Sequence, residues 1–429
     1  METLQKYKLN SYEAICEIFS VSWMISIDKA FEADEIKQAL VKTHMEHPFL
    51  RCKVTLPKKE DPSYVILEDD HCPNPLVEII EDSLSQNDLK EAYIAFSREY
   101  SNKPHVETAA YKVYTDKKNT ATSVIGAFDH SCCDALSSLQ VANTFMQYLS
   151  DPTRVPVQRE WKSVQGEVVT PENQGTNYYD SIKCDFYSPP KSLHEMDCSV
   201  AHFRSQVCLI NNEELTTILA KCHEKGVTFQ GLLWLSAALS YMKMCNIPLG
   251  KVFRFQTPAT AIGRVPFHKT IEKEDLVCGA AAIYVNQEID GSDLFWDVSK
   301  KLTTNLHEEL ENGVQMNDFF EILKCNDFNC LPPYSMTACT LGVSCLKDYY
   351  SAANSFHLKD ICFLGLTKIF PGVAGINIHS FTVPNLGCYM NCSYVYPGFS
   401  NEEAEKYVTG IRSIMLEACK NEQLHLSEF

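Results

Sequence analysis

The sequence predicts an α/β protein of two sandwich-like lobes, on three observations. The chain has 429 residues, 45% of them hydrophobic, which is enough to bury more than one ordinary core, so two domains of about 200 residues each are expected. Short runs rich in β-branched and aromatic residues alternate with helical runs in both halves, the pattern of sheets layered with helices. Between the halves, from Asp151 to Ser199, a polar stretch carries Pro152, Pro156, Pro171, Pro189 and Pro190 with little periodicity, which reads as a connection. The expected division is a first lobe over 1–175, a connecting segment over 176–199 and a second lobe over 200–429.

In the first lobe, an apolar run predicts a strand near Val21–Ile27, and helical spacing predicts a helix near Ala33–Glu46 that stops before Pro48. Strands follow near Arg51–Leu56, Tyr64–Leu67 and Val77–Ile80, then a helix near Asn87–Tyr100 and strands near Val106–Val113 and Ser123–Phe128. In the second lobe the same periodicities predict helices near Asn212–Glu224, Thr228–Met242, Ser292–Glu311 and Asn401–Ala418. They are interleaved with strands near Arg204–Leu209, Val252–Thr257, Ala280–Asn286, Asp360–Thr367, Gly375–Phe381 and Cys388–Tyr394.

The most informative stretch is His130-Ser131-Cys132-Cys133-Asp134-Ala135. The Val, Ile and Phe of Ala121–Asp129 lead into it as a strand, and Leu136, Leu139, Val141, Phe145, Met146 and Leu149 leave it at helical spacing until Asp151-Pro152. An imidazole thus hangs at a strand-to-helix junction, and Asp134 suits the positive end of the helix dipole. A His followed four residues later by an Asp is common by chance, at roughly one in twenty per His, and the chain has 13 His. A capping Asp beside a core or surface His is therefore the plain alternative.

The formal charge is −17, with no long basic tract, so neither nucleic acid nor an anionic membrane is an expected partner. The 19 cysteines, an odd number, are scattered without a framework or a Cys-x-x-Cys pair, and no signal peptide is apparent. Free thiols, no structural metal and a cytoplasmic, soluble protein are expected. The apolar stretch around Gly231-Leu232-Leu233-Trp234-Leu235 is too short and interrupted to span a bilayer.

Several segments in order resemble the CoA-dependent acyltransferase superfamily that carries an HxxxD motif: plant BAHD enzymes, alcohol O-acetyltransferases and peptide-synthetase condensation domains. Besides His130 and Asp134, these are Leu40 to Arg51, with its His47-Pro48-Phe49-Leu50-Arg51 ending, and Phe253-Arg254-Phe255-Gln256-Thr257-Pro258 followed by Ile262-Gly263-Arg264. Thr340-Leu341-Gly342, Pro384-Asn385-Leu386-Gly387-Cys388-Tyr389-Met390 and Ser400-Asn401-Glu402-Glu403 complete the series. The resemblance covers roughly residues 8 to 420 and implies two chloramphenicol-acetyltransferase-like α/β sandwich lobes with an active-site tunnel between them. Departures are specific. Condensation domains usually have a second His before the motif and a Gly after its Asp, where this chain has Asp129 and Ala135, and the plant-type Asp-Phe-Gly-Trp-Gly signature is absent.

What the resemblance implies is acyl transfer from a thioester, chemistry well suited to an imidazole, whose unperturbed pKa of about 6.5 lets it take a proton near neutrality. His130 is expected to act as general base on the acceptor and then as acid toward the departing CoA sulfur. Asp134 is expected to be structural, paired with Arg254; a buried pair of this kind leaves a stranded charge when one partner is removed. Thr340 stands where the family usually has Asn and is a candidate oxyanion donor, against the plain alternative of a local backbone cap. Lys251, Arg264, His268 and Lys269 are candidates for binding the polyanionic CoA, against solvated surface charge. Cys132 and Cys133, next to the imidazole, raise a thiol-nucleophile rival, which lacks an orienting carboxylate.

The expected function is acyl-CoA-dependent O-acylation, acetyl transfer above all, of a small hydrophobic alcohol by a monomeric enzyme with acetyl-CoA as co-substrate. The alternatives are N-acylation or condensation-type amide formation, and a non-catalytic relative that only binds a ligand or a protein.

Overall fold

The computed structural model describes residues 5–9, 13, 19–55, 64–67, 75–102, 107–131, 133–160, 187, 201–260, 275–312, 339–348, 357–367 and 375–429. The chain divides into two units. The first comprises Met1–Val169, Thr260–Ala280 and Tyr349–Lys368; the second comprises Thr170–Ala259, Ala281–Asp348 and Ile369–Phe429. The expected connection at 176–199 lies outside the described residues apart from Tyr187. The first unit also takes two later pieces of chain that a single cut along the sequence assigns to the second lobe.

The first unit has strands β1 (Gln5–Lys8), β2 (Phe19–Glu32), β3 (Cys52–Thr55), β4 (Tyr64–Leu67), β5 (Leu76–Glu81), β6 (Ala109–Thr115) and β7 (Thr120–Asp129), and helices α1 (Ala33–Glu46), α2 (Gln86–Asn102) and α3 (Ala135–Ser150). The late strand β12 (Leu358–Thr367) joins them, so that the main sheet runs β12-β2-β7-β6-β5. Only β5 and β6 pair in parallel there, while β12 lies antiparallel to β2 over Leu358 to Thr367. A small antiparallel sheet, β1-β4-β3, completes the unit.

β7 is the middle strand of five, and Val124 to Asp129 are buried continuously without alternation, as expected of a strand covered on both faces. Trp23 on β2 donates from its indole N–H to the Ser138 carbonyl at 3.0 Å, tying α3 to the sheet. Gly126 on β7 faces that ring, and a Cβ there would lie 2.9 Å from both Trp23 and Phe128. No larger residue fits without moving an aromatic ring.

The second unit has β8 (His202–Asn211), β9 (Lys251–Thr260), β10 (Ala280–Ile289), β11 (Leu341–Asp348), β13 (Ile376–Val383) and β14 (Gly387–Tyr396). Its helices are α4 (Asn212–Lys225), α5 (Phe229–Cys245), α6 (Phe295–Glu311) and α7 (Asn401–Lys420). The sheet order is β10-β9-β11-β13-β14-β8, with β11 parallel to both its neighbours. α5 is buried from Gly231 to Met242 because it is apolar all round, which marks a central helix. It packs against α6, α7 and β11, and its Trp234 stacks on Phe255 at 5.4 Å. α4, α5 and α7 each begin on a side-chain cap, from Asn211, Thr228 and Ser400, which satisfies amides that the helix itself leaves open.

Among the described residues no helix is long and apolar enough to cross a membrane. The strand β11, which the periodicity does not predict, runs through Gly342, where a Cβ would meet the Asn377 side chain at 2.0 Å.

Candidate active site

β7 ends at Asp129 and α3 begins after Asp134, so His130 sits in the turn between a buried central strand and a buried helix. The turn is closed by its own polar atoms. Asp129 Oδ1 accepts from the Ser131 amide at 2.8 Å and from the Ser131 hydroxyl at 2.5 Å, while the Cys133 amide donates to the Asp129 carbonyl at 3.3 Å. An Asp that bonds the backbone two residues on is a turn former, and here it fixes the backbone that carries the imidazole. His130 itself is half-buried, whereas Asp129, Ser131, Cys133 and Asp134 are buried.

Asp134 caps α3: its Oδ1 accepts from the Ser137 amide at 2.9 Å. Its Oδ2 accepts from the Gly279 amide at 3.4 Å, which ties the helix start to the segment 275–279. The same segment is held at Val277, whose carbonyl accepts from the Asp134 amide at 3.1 Å and from the Ser137 hydroxyl at 2.9 Å, and whose amide donates to Ser137 Oγ at 3.1 Å. Burial pushes the Asp134 carboxyl above the ordinary carboxylate range, opposed by the Ser137 amide, the His130 charge and the Gly279 amide. This anchoring brings Cys278 to the imidazole, with Sγ 3.6 Å from His130 Nδ1.

Cys133 is buried, and its surroundings disfavour the thiolate. Burial, then the Asp134 and Asp129 charges, push its thiol well above the usual range, and its sulfur lies 3.7 Å from the Asp129 carbonyl. Since the thiolate is the reactive form, the thiol rival loses this candidate. Cys132 lies outside the described residues.

The other candidates fall in two groups. Arg254 and Thr340 are both buried and are joined within the second unit. The Thr340 amide donates to the Arg254 carbonyl at 2.8 Å, and the Arg254 amide donates to Thr340 Oγ1 at 3.1 Å. Arg254 Nε donates to Asn286 Oδ1 at 2.9 Å, so it is a buried mid-sheet residue and not a surface Arg at a strand edge. The Thr340 hydroxyl donates to the Tyr187 carbonyl at 2.6 Å, and a hydroxyl has a single hydrogen to give. Lys251 is exposed at the start of β9, and Arg264, His268 and Lys269 lie outside the described residues.

The segment His47 to Arg51 forms the end of α1 and a short 3-10 turn. His44 Nε2 lies 3.1 Å from the Tyr111 hydroxyl, and His47 Nε2 lies 3.1 Å from Thr144 Oγ1. Burial, with the nearby Arg51 and Arg159 respectively, lowers both imidazoles to about 3, so they are neutral structural groups.

Sequence reasoning missed Ser137, Val277, Cys278 and Gly279. Ser137 had a faint signal, a polar residue at the third position of a helix opened by Asp. Cys278 had none, being one of 19 cysteines and 148 residues from the His it touches.

No protein-family model and no curated protein matches the sequence. Solved structures do match over nearly the whole chain. One is the first condensation domain of the calcium-dependent antibiotic synthetase, at 11% identity and TM-score 0.67, covering 99% of this chain and 98% of that one. A second is the trichothecene 15-O-acetyltransferase from Fusarium sporotrichioides, at 13% identity and TM-score 0.69, covering 96% and 94%. A third is polyketide synthase associated protein 5 from Mycobacterium tuberculosis, at 14% identity and TM-score 0.65, covering 96% and 98%. The chain therefore has the mixed α/β fold of that condensation domain and that 15-O-acetyltransferase.

Proposed function

We propose that the chain is an acyl-CoA-dependent acyltransferase that moves a short acyl group, acetyl above all, to the hydroxyl of a small hydrophobic acceptor. The observation that carries this reading is the half-buried His130 in a turn braced at Asp129 and Asp134. In this mechanism His130 takes the acceptor's proton as its oxygen bonds to the thioester carbon, and returns a proton to the departing CoA sulfur. The acyl group passes directly to the acceptor, in keeping with the raised thiol of Cys133. Asp134 shapes the helix start, and we keep its pairing with Arg254 as part of the proposal. Thr340 receives no oxyanion role, because its hydrogen faces the Tyr187 carbonyl.

CoA carries several negative charges and the chain a formal −17, so donor binding requires a local basic patch. Lys251, Arg264, His268 and Lys269 remain the proposed contributors, and the protein is proposed to act as a cytoplasmic monomer without a metal. The condensation-domain likeness supports a second reading, amide formation on an amine.

The test is thiol release from acetyl-CoA, followed with a thiol reagent, over matched panels of hydrophobic alcohols and amines. The proposal expects release that requires an alcohol and yields its ester. Release with amines alone selects amide formation, and no release with any donor or acceptor selects a non-catalytic binding protein.

A further inference from the structure

We propose that Cys278 is a positioning residue for His130: its sulfur accepts a hydrogen bond from Nδ1–H and so keeps the imidazole in the tautomer whose Nε2 can take a proton. This rests on the general-base reading of His130, and it adds a residue that the HxxxD pattern does not contain.

The contact, Sγ to Nδ1 at 3.6 Å, is ordinary for a sulfur partner and open to two assignments. If the thiol donates to Nδ1, the ring proton sits on Nε2 and the ring has no basic nitrogen left on that edge. If Nδ1–H donates to sulfur, Nε2 carries the lone pair. Which nitrogen holds the proton is set by the partner of the other. Two features favour the second assignment. A thiol is only a weak donor whereas a ring N–H is a full one, so the contact is better used with Nδ1–H donating to the sulfur. The sulfur's position is also fixed independently of His130, because Cys278 is buried and lies between Val277 and Gly279, both bonded to Asp134 or Ser137.

A merely structural Cys278 fills space, and replacing it by Ala then changes little beyond packing. A tautomer-setting Cys278 has a different signature. Long-range proton–nitrogen NMR on the full-length protein, with His130 assigned by comparison with His130→Ala, should show the neutral ring protonated at Nδ1. In Cys278→Ala that population should move toward the Nε2–H form, and kcat should fall by about tenfold to a hundredfold, part of what general-base catalysis supplies, with KM little changed. Cys278→Ser, whose oxygen also accepts, should recover most of the loss.

The inference is overturned if the wild-type ring is protonated at Nε2, or if Cys278→Ala leaves both the tautomer and kcat as they were. The wild-type spectrum decides even where the Ala variant does not fold. It also separates this inference from the functional reading, since the tautomer is read without turnover, whereas absence of acyl transfer removes the general-base role whatever the ring's protonation.

Discussion

At the scale of single residues, Asp134 shows how one side chain ties two separated stretches of chain together. Its two oxygens each receive a backbone amide, one from its own helix and one from a segment 145 residues away. Removing them leaves an uncapped helix start, which costs about 1 kcal/mol, and an unsatisfied buried amide at Gly279, which costs roughly 1–3 kcal/mol. Relief of a buried charge offsets part of this. Asp134→Ala should therefore lose about 1–3 kcal/mol of unfolding free energy by urea titration. Activity should fall as well, because the segment carrying Cys278 loses its anchor. Unchanged stability would contradict the anchoring role. The strand-to-helix junction that carries His130 and Asp134 was legible, because local pattern reveals such junctions. Cys278 was not legible, since a contact made by a loop held only by distant partners leaves no periodicity behind.

At the scale of elements, α1 illustrates both what pattern reveals and what it hides. Its expected span, Ala33–Glu46, is the observed one, because Pro48 ends the helical spacing. Pattern did not show that His44 and His47 are sealed against Tyr111 and Thr144. Both are lowered from 6.5 to about 3 by burial, so between those values the unfolded chain takes up protons that the folded one refuses. Stability is thus complete above about pH 6.5 and falls as pH drops, by roughly 1.4 kcal/mol per pH unit for each imidazole. Asp134, with its raised carboxyl, acts in the opposite sense as pH rises above the ordinary Asp value. Urea unfolding at pH 6.5 and pH 5 should differ by up to about 4 kcal/mol. In a His44→Gln, His47→Gln double variant most of that difference should vanish, and an equal loss in both proteins would count against the assignment. The strand β11 escaped detection for a related reason. Leu341-Gly342-Val343-Ser344-Cys345 is short of β-branched residues, and its strand state comes from pairing on both sides with β9 and β13.

At the scale of the whole molecule, each unit is assembled from separated stretches of chain. β12 was expected as a strand of the second lobe, and its local pattern is indeed that of a strand. Its place beside β2 in the first unit's sheet depends on pairing across more than 300 residues, which no local signal encodes. The catalytic proposal depends on that same sheet, because β2 and β7 hold the turn that displays His130. Its most direct test is the acceptor-dependent rate of thiol release from acetyl-CoA, measured for the wild type and for a His130→Ala variant of matching thermal midpoint. Loss of the base should lower kcat by about 10²–10⁴-fold, whereas an equal rate in the two proteins would contradict the account at its centre.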